Sequence, residues 1–130
     1  MLDHIGFPVS DYERSKAFYE AVLAPLGIRL LKDVDLSDEG GPAGYAGFGA
    51  QRPQFWIGTG KTPTGRLHVA FAAIDRAQVR AFYEAALKAG AQDNGPPGLR
   101  PHYHANYYGA FVLDPDGHNI EAVSHLPEDE

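Results

Sequence analysis

Asp3-His4-Ile5-Gly6-Phe7 recurs as Leu67-His68-Val69-Ala70-Phe71, and each copy leads into an identical Ala-Phe-Tyr-Glu, at 17–20 and at 81–84. Every match is sixty-four residues on: Asp11 with Asp75, Lys16 with Arg80, Leu23 with Leu87. A 130-residue chain repeating at about half its length reads as two copies of one small module. The repeat sets His4 and His68 at the same point of each copy. If the halves pack about a pseudo-two-fold axis, the two imidazoles can face a shared cleft.

Working outward from each copy, the same element order appears twice. Residues 2–9 read as a strand, and Asp11 or Ser10 offers an N-cap oxygen. Residues 12–24 read as a helix with Phe18, Tyr19, Val22 and Leu23 on one stripe. Pro25 and Gly27 stop it, and strands follow at 28–34, 44–49 and 54–58 around a loop at 36–42. The Thr, Gly, Lys and Pro of 59–65 read as a linker between modules 1–58 and 66–126.

The second copy opens with a strand at 66–74 and a helix at 76–89 capped by Asp75. In that helix Val79, Phe82, Tyr83, Ala86 and Leu87 follow helical spacing. A short strand at 91–93 and a loop at 94–106 come next. Strands at 107–113 and 118–125 flank Asp114-Pro115-Asp116-Gly117, a strong turn. Each half reads β-α-β-β-β. The fold class is therefore α+β: a curved mixed sheet around a cleft, with helices on its outer face.

Bulk properties narrow the function. With 44% hydrophobic residues the chain suits a folded globule. The net charge is −6 with no basic stripe, which argues against nucleic acid or an anionic membrane as partner. No cysteine is present, so disulfides, thiolate zinc sites and thiol nucleophiles are excluded. Absence of cysteine, of a signal-peptide pattern and of a long apolar run fits a cytoplasmic protein.

His4, His68 and Glu121 form the candidate metal constellation. Side chains alternate across a strand, so Ile5, Phe7 and Val9 take the helix-covered face and leave His4 and Gly6 opposite. On the fifth strand Leu67, Val69, Phe71 and Ala73 leave His68, Ala70 and Ala72 opposite. Small neighbours leave room beside each imidazole. Glu121 sits mid-strand between Ile120 and Ala122, an unusual place for a carboxylate. Two imidazoles and a carboxylate suit Zn, Fe, Mn, Ni or Co.

These segments, with Phe111-Val112-Leu113-Asp114-Pro115-Asp116-Gly117-His118-Asn119-Ile120-Glu121 above all, resemble the vicinal oxygen chelate superfamily of glyoxalases, extradiol dioxygenases, and fosfomycin and bleomycin resistance proteins. The resemblance spans nearly the whole chain. It implies paired β-α-β-β-β modules around a divalent metal, with His4, His68 and Glu121 as ligands, and a homodimer. It implies a metal-dependent lyase, isomerase or dioxygenase acting on a small oxygen-bearing substrate. The alternative within the family is a metal-free protein that sequesters a small molecule. Glyoxalase I carries a further glutamate, which the sixty-four-residue offset matches to Ile57, and 50–58 holds no carboxylate.

Other residues are candidates for the substrate. Arg100 and Arg66 could meet an anionic group. Trp56, Tyr107 and Tyr108 could wall a planar ligand, and Trp56 could equally be core. The loop 100–108 reads as a lid, in which His102, His104 or Tyr108 handles protons, or as an aromatic plug or dimer contact. His118 reads as a turn or strand-edge residue and His125 as exposed.

Overall fold

A computed structural model describes residues 1–36 and 44–128. The loop read at 36–42, apart from Leu36, and the last two residues of the acidic tail lie outside the described residues. The elements are β1 (Ile5–Val9), α1 (Tyr12–Leu23), β2 (Arg29–Asp35), β3 (Gly44–Gly49), β4 (Phe55–Thr59), β5 (His68–Ala72), α2 (Arg76–Lys88), β6 (Gln92–Leu99), β7 (Tyr108–Leu113) and β8 (Asn119–Ser124).

Both helices start where a carboxylate can satisfy a free backbone donor. Asp11 accepts from the Arg14 amide at 3.1 Å, and Asp75 accepts from the Gln78 amide at 2.9 Å. α1 buries Phe18, Tyr19, Val22 and Leu23, and α2 buries Val79, Phe82 and Ala86, the periodic apolar positions. A 3-10 turn, Ala24–Leu26, ends α1, and Gly27 takes φ +76°, a left-handed conformation that glycine reaches without Cβ strain.

The strands form two open four-stranded mixed sheets in a two-module α+β arrangement. Their orders are β1-β4-β3-β2 and β5-β8-β7-β6. In each, the first strand runs parallel to the last and stands at an edge. β8 is central, between β5 and β7. One apolar cluster joins the modules, with Phe55 and Phe71 edge to face at 5.1 Å. Polar contacts cross as well: the Tyr19 hydroxyl donates to Asp114, and the Ser10 hydroxyl donates to Asp116.

Two sequence expectations change here. The loop read from 94 onward contributes to β6, which reaches Leu99 through Gly95-Pro96-Pro97-Gly98. Two register shifts against β7 and an edge position let proline sit where a regular ladder would need its missing N–H. His118 closes the turn just before β8, as read, and is buried there, with its Nδ1 accepting from the Leu67 amide at 3.0 Å. Finally, the module-one counterpart of Glu121 is Trp56 and not Ile57. Gly6 pairs with Trp56 as Ala70 pairs with Glu121, whereas Ile57 pairs with Phe7 as Ala122 pairs with Phe71. The last strand is displaced one residue between the two copies, so a constant offset fails at the end of the repeat.

Candidate functional site

Glu121 is the pivot. Its residue exposure is 0%, although it lies on the sheet face away from α2's core contacts. A buried carboxylate is costly unless both oxygens are satisfied. His68 Nε2 lies 2.8 Å from Oε1, and the Tyr107 hydroxyl donates to Oε2. No lysine or arginine among the described residues pairs with it. Burial, and then the bond to Glu121, push the Tyr107 hydroxyl well above its ordinary pKa. Tyr107 therefore stays protonated and remains a donor at ordinary pH.

The sheet builds this contact by alternation. Phe111 pairs with Glu121 and Gly109 with Val123, so Tyr107, Gly109, Phe111 and Glu121 share one face. A Cβ on Gly109 would stand 3.2 Å from both Glu121 Oε2 and the Tyr107 ring, so this glycine makes the room in which the pair meets. Sequence reasoning passed over Gly109 and Phe111. The Asp114–Gly117 turn by itself would set Phe111 opposite Ile120; the Asp114 amide bonds to the His118 carbonyl instead, so the pairing is centred on Asp116 and Phe111 meets Glu121. Asn119, two residues before Glu121, takes a 3.1 Å bond from Asn94.

The arrangement suits a metal in part. Two donors about 2.1 Å from a common tetrahedral ion lie about 3.4 Å apart, and His68 Nε2 and Glu121 Oε1 stand at a hydrogen-bonding 2.8 Å, so an ion between them would spread the pair by about half an ångström. His68 keeps 54% of its side-chain surface exposed, so the locus is open to an ion and to further ligands. His4 does not join them. Its side chain is 60% exposed and its Nδ1 lies 2.7 Å from Asp3, which also pairs with Arg52. It borders a surface hollow with Gly6, Pro53 and Trp56, whereas His68 lines a groove with Leu2, Ile5 and Phe55. Among the described residues no three His, Cys, Asp or Glu side chains converge as a metal site within one chain.

Of the remaining candidates Tyr107 and Arg100 reach this face, and the others are dispersed. Trp56 packs on Tyr45 at 6.0 Å, in the first module, and covers Gly47. Tyr108 points the other way from Tyr107 and lies under the guanidinium groups of Arg76 and Arg80. Tyr107 is embraced by Tyr103, His104 and His125, with His104 Nε2 2.6 Å from His125 Nδ1. His102 packs at a tilt against Tyr103 and is exposed. Arg100 lies over Phe111 at 5.2 Å, and Phe111 faces His68 at 6.3 Å. Arg66 is exposed.

A family model described as Glyoxalase/Bleomycin resistance protein/Dioxygenase superfamily matches residues 1–122. No curated protein matches. A glyoxalase/bleomycin resistance protein from Albidiferax ferrireducens T118 is 29% identical, covers 98% of this chain and 99% of its own, and superposes with a TM-score of 0.77. A glyoxalase I mutant from Zea mays is 26% identical with a TM-score of 0.69; 94% of this chain matches 46% of that one. A mutant of the fosfomycin resistance protein FosX from Listeria monocytogenes, complexed with Mn(II) and 1S,2S-dihydroxypropylphosphonic acid, has the same fold. It shows 19% identity, 95% and 88% coverage and a TM-score of 0.68.

Proposed function

Because the chain belongs to the glyoxalase/bleomycin resistance protein/dioxygenase superfamily, we propose that it is a metal-dependent enzyme acting on a small oxygen-bearing substrate. His68 and Glu121 hold a divalent ion, and His4 is supplied by a second copy of the chain in a homodimer. The observation that carries this reading is the fully buried Glu121 carboxylate, which has an imidazole at 2.8 Å and no arginine or lysine among the described residues to balance it. When bound, a divalent ion supplies Lewis-acid polarisation of substrate oxygens.

The chain's own residues set up that chemistry. Tyr107 pins the carboxylate through Oε2 and leaves Oε1 toward His68. Gly109 leaves space for that orientation. His4 immediately precedes β1 and Trp56 lies on β4, at the positions that match His68 and Glu121. In the paired arrangement Trp56 contributes an aromatic wall where a second carboxylate could have stood. That favours a reaction that does not depend on a second glutamate as proton carrier.

The second reading is metal-free sequestration of a small planar ligand against Trp56. It is favoured by the hollow of about 300 Å³ bounded by Gly6, Pro8, Tyr45 and Trp56. Metal analysis of protein purified without a polyhistidine tag separates the two. The enzyme reading expects one divalent ion per chain, lost in His68→Ala and in Glu121→Gln. Protein that binds neither Mn(II) nor Zn(II), and whose melting temperature ignores chelator, defeats it.

A further inference from the structure

Arg100 is built into the sheet face beside the candidate ligands. Its Nη1 donates to the Gly98 carbonyl at 2.8 Å and its Nη2 to the Pro96 carbonyl at 2.9 Å. The guanidinium lies over the Phe111 ring, which in turn faces His68. Two glycines of β6 make the seat. A Cβ on Gly95 would stand 3.1 Å from Nη2, and one on Gly98 3.2 Å from Nη1. A Cβ at either position would press on the guanidinium.

The charge so fixed is not neutralised. Arg100 forms no ion pair among the described residues, in a chain whose net charge is −6. Its two anchors are neutral carbonyls, and a guanidinium carries five N–H donors, so three remain to be offered. A preorganised fork of this kind matches the paired oxygens of an oxyacid and loses little entropy on binding them.

We propose that Arg100 is a specificity-determining residue that receives an anionic oxyacid group, a carboxylate or a phosphonate, on the far end of the substrate. The inference rests on the metal reading for the near end, where the oxygens meet His68 and Glu121. The substrate is then a small acid with oxygen functions at one end and an anion about one aromatic ring away.

The test compares two probes, 3,4-dihydroxybenzoate and 4-methylcatechol, which share the paired oxygens and differ in the anion. Binding is measured by calorimetry under nitrogen, on full-length protein loaded with Mn(II) and, in parallel, on protein kept in chelator. Loaded wild type is expected to prefer the benzoate at least about tenfold, the scale of one charged hydrogen-bonded contact. Added salt should erode that preference. Arg100→Met should bring the two probes to one affinity, and Arg100→Lys should keep part of the difference. Equal affinities in wild type, or a preference that survives Arg100→Met, overturn the proposal while leaving the metal reading intact. A preference that is unchanged in chelator keeps the anion seat and removes the metal reading. Binding of neither probe in either state removes both.

Discussion

Glu121 shows how one residue's surroundings can be made to order. Its carboxylate is buried, one oxygen takes the Tyr107 hydroxyl, and Gly109 holds the space in which they meet. Losing a buried donor costs about 1–3 kcal/mol, so Tyr107→Phe should lower unfolding free energy by that order. Gly109→Ala should act through the same contact, because its Cβ would press on both partners. The double variant should then fall short of the sum of the single losses. Urea unfolding of the four proteins checks this, and strict additivity would mean that Gly109 acts elsewhere. The Arg100 seat has the same construction, with Gly95 and Gly98 giving way to one large side chain.

At the scale of elements, α1 is tied to β2 by Asp33. The Tyr12 hydroxyl donates to it at 2.6 Å, and Lys16 Nζ lies at 2.9 Å. Those partners, Tyr12 first and Lys16 next, hold the Asp33 carboxyl below its ordinary value of 3.8. The folded state thus binds this proton less readily than the unfolded chain. The stabilisation is complete above the unfolded value and is lost as pH falls through the folded one. Wild type should therefore exceed Asp33→Asn in stability by a constant margin near neutral pH, and that margin should shrink in acid below about pH 4. Paired denaturation curves across that range decide it; a margin that widens in acid would reverse the assignment. The same logic of local partners explains both helix starts, where Asp11 and Asp75 cap the first turn.

At the scale of the whole molecule, the decisive fact is that β1 and β5 are edge strands of separate sheets. An edge strand leaves backbone donors and acceptors free to meet another chain. Leu2 and Ile5 are exposed beside that groove. Under the proposed pairing, His4 of one copy completes the site of the other, so metal and dimer are linked. Mn(II) should raise the fraction of dimer seen by sedimentation, and His4→Ala should remove that response. Metal binding by a monomer at full stoichiometry would show instead that His68 and Glu121 suffice.

How much of this could be read without coordinates follows from the range of each cause. The two β-α-β-β-β modules, their caps and the mid-strand position of Glu121 are consequences of local periodicity and turn chemistry, which act within a few residues. Sequence alone therefore determined the element order, the α+β class and the family. It missed the extent of β6, because an edge position tolerates Pro96 and Pro97 where a central strand would not. It also missed the match of Trp56 to Glu121, because the displacement of one residue between copies arises in strand register. Only tertiary structure brought Tyr107 and His68 onto Glu121, seated Arg100 over Phe111, and held His4 apart in the other module. Those outcomes depend on how strands pair and how two modules pack, contacts between residues far apart in the chain that no local pattern encodes.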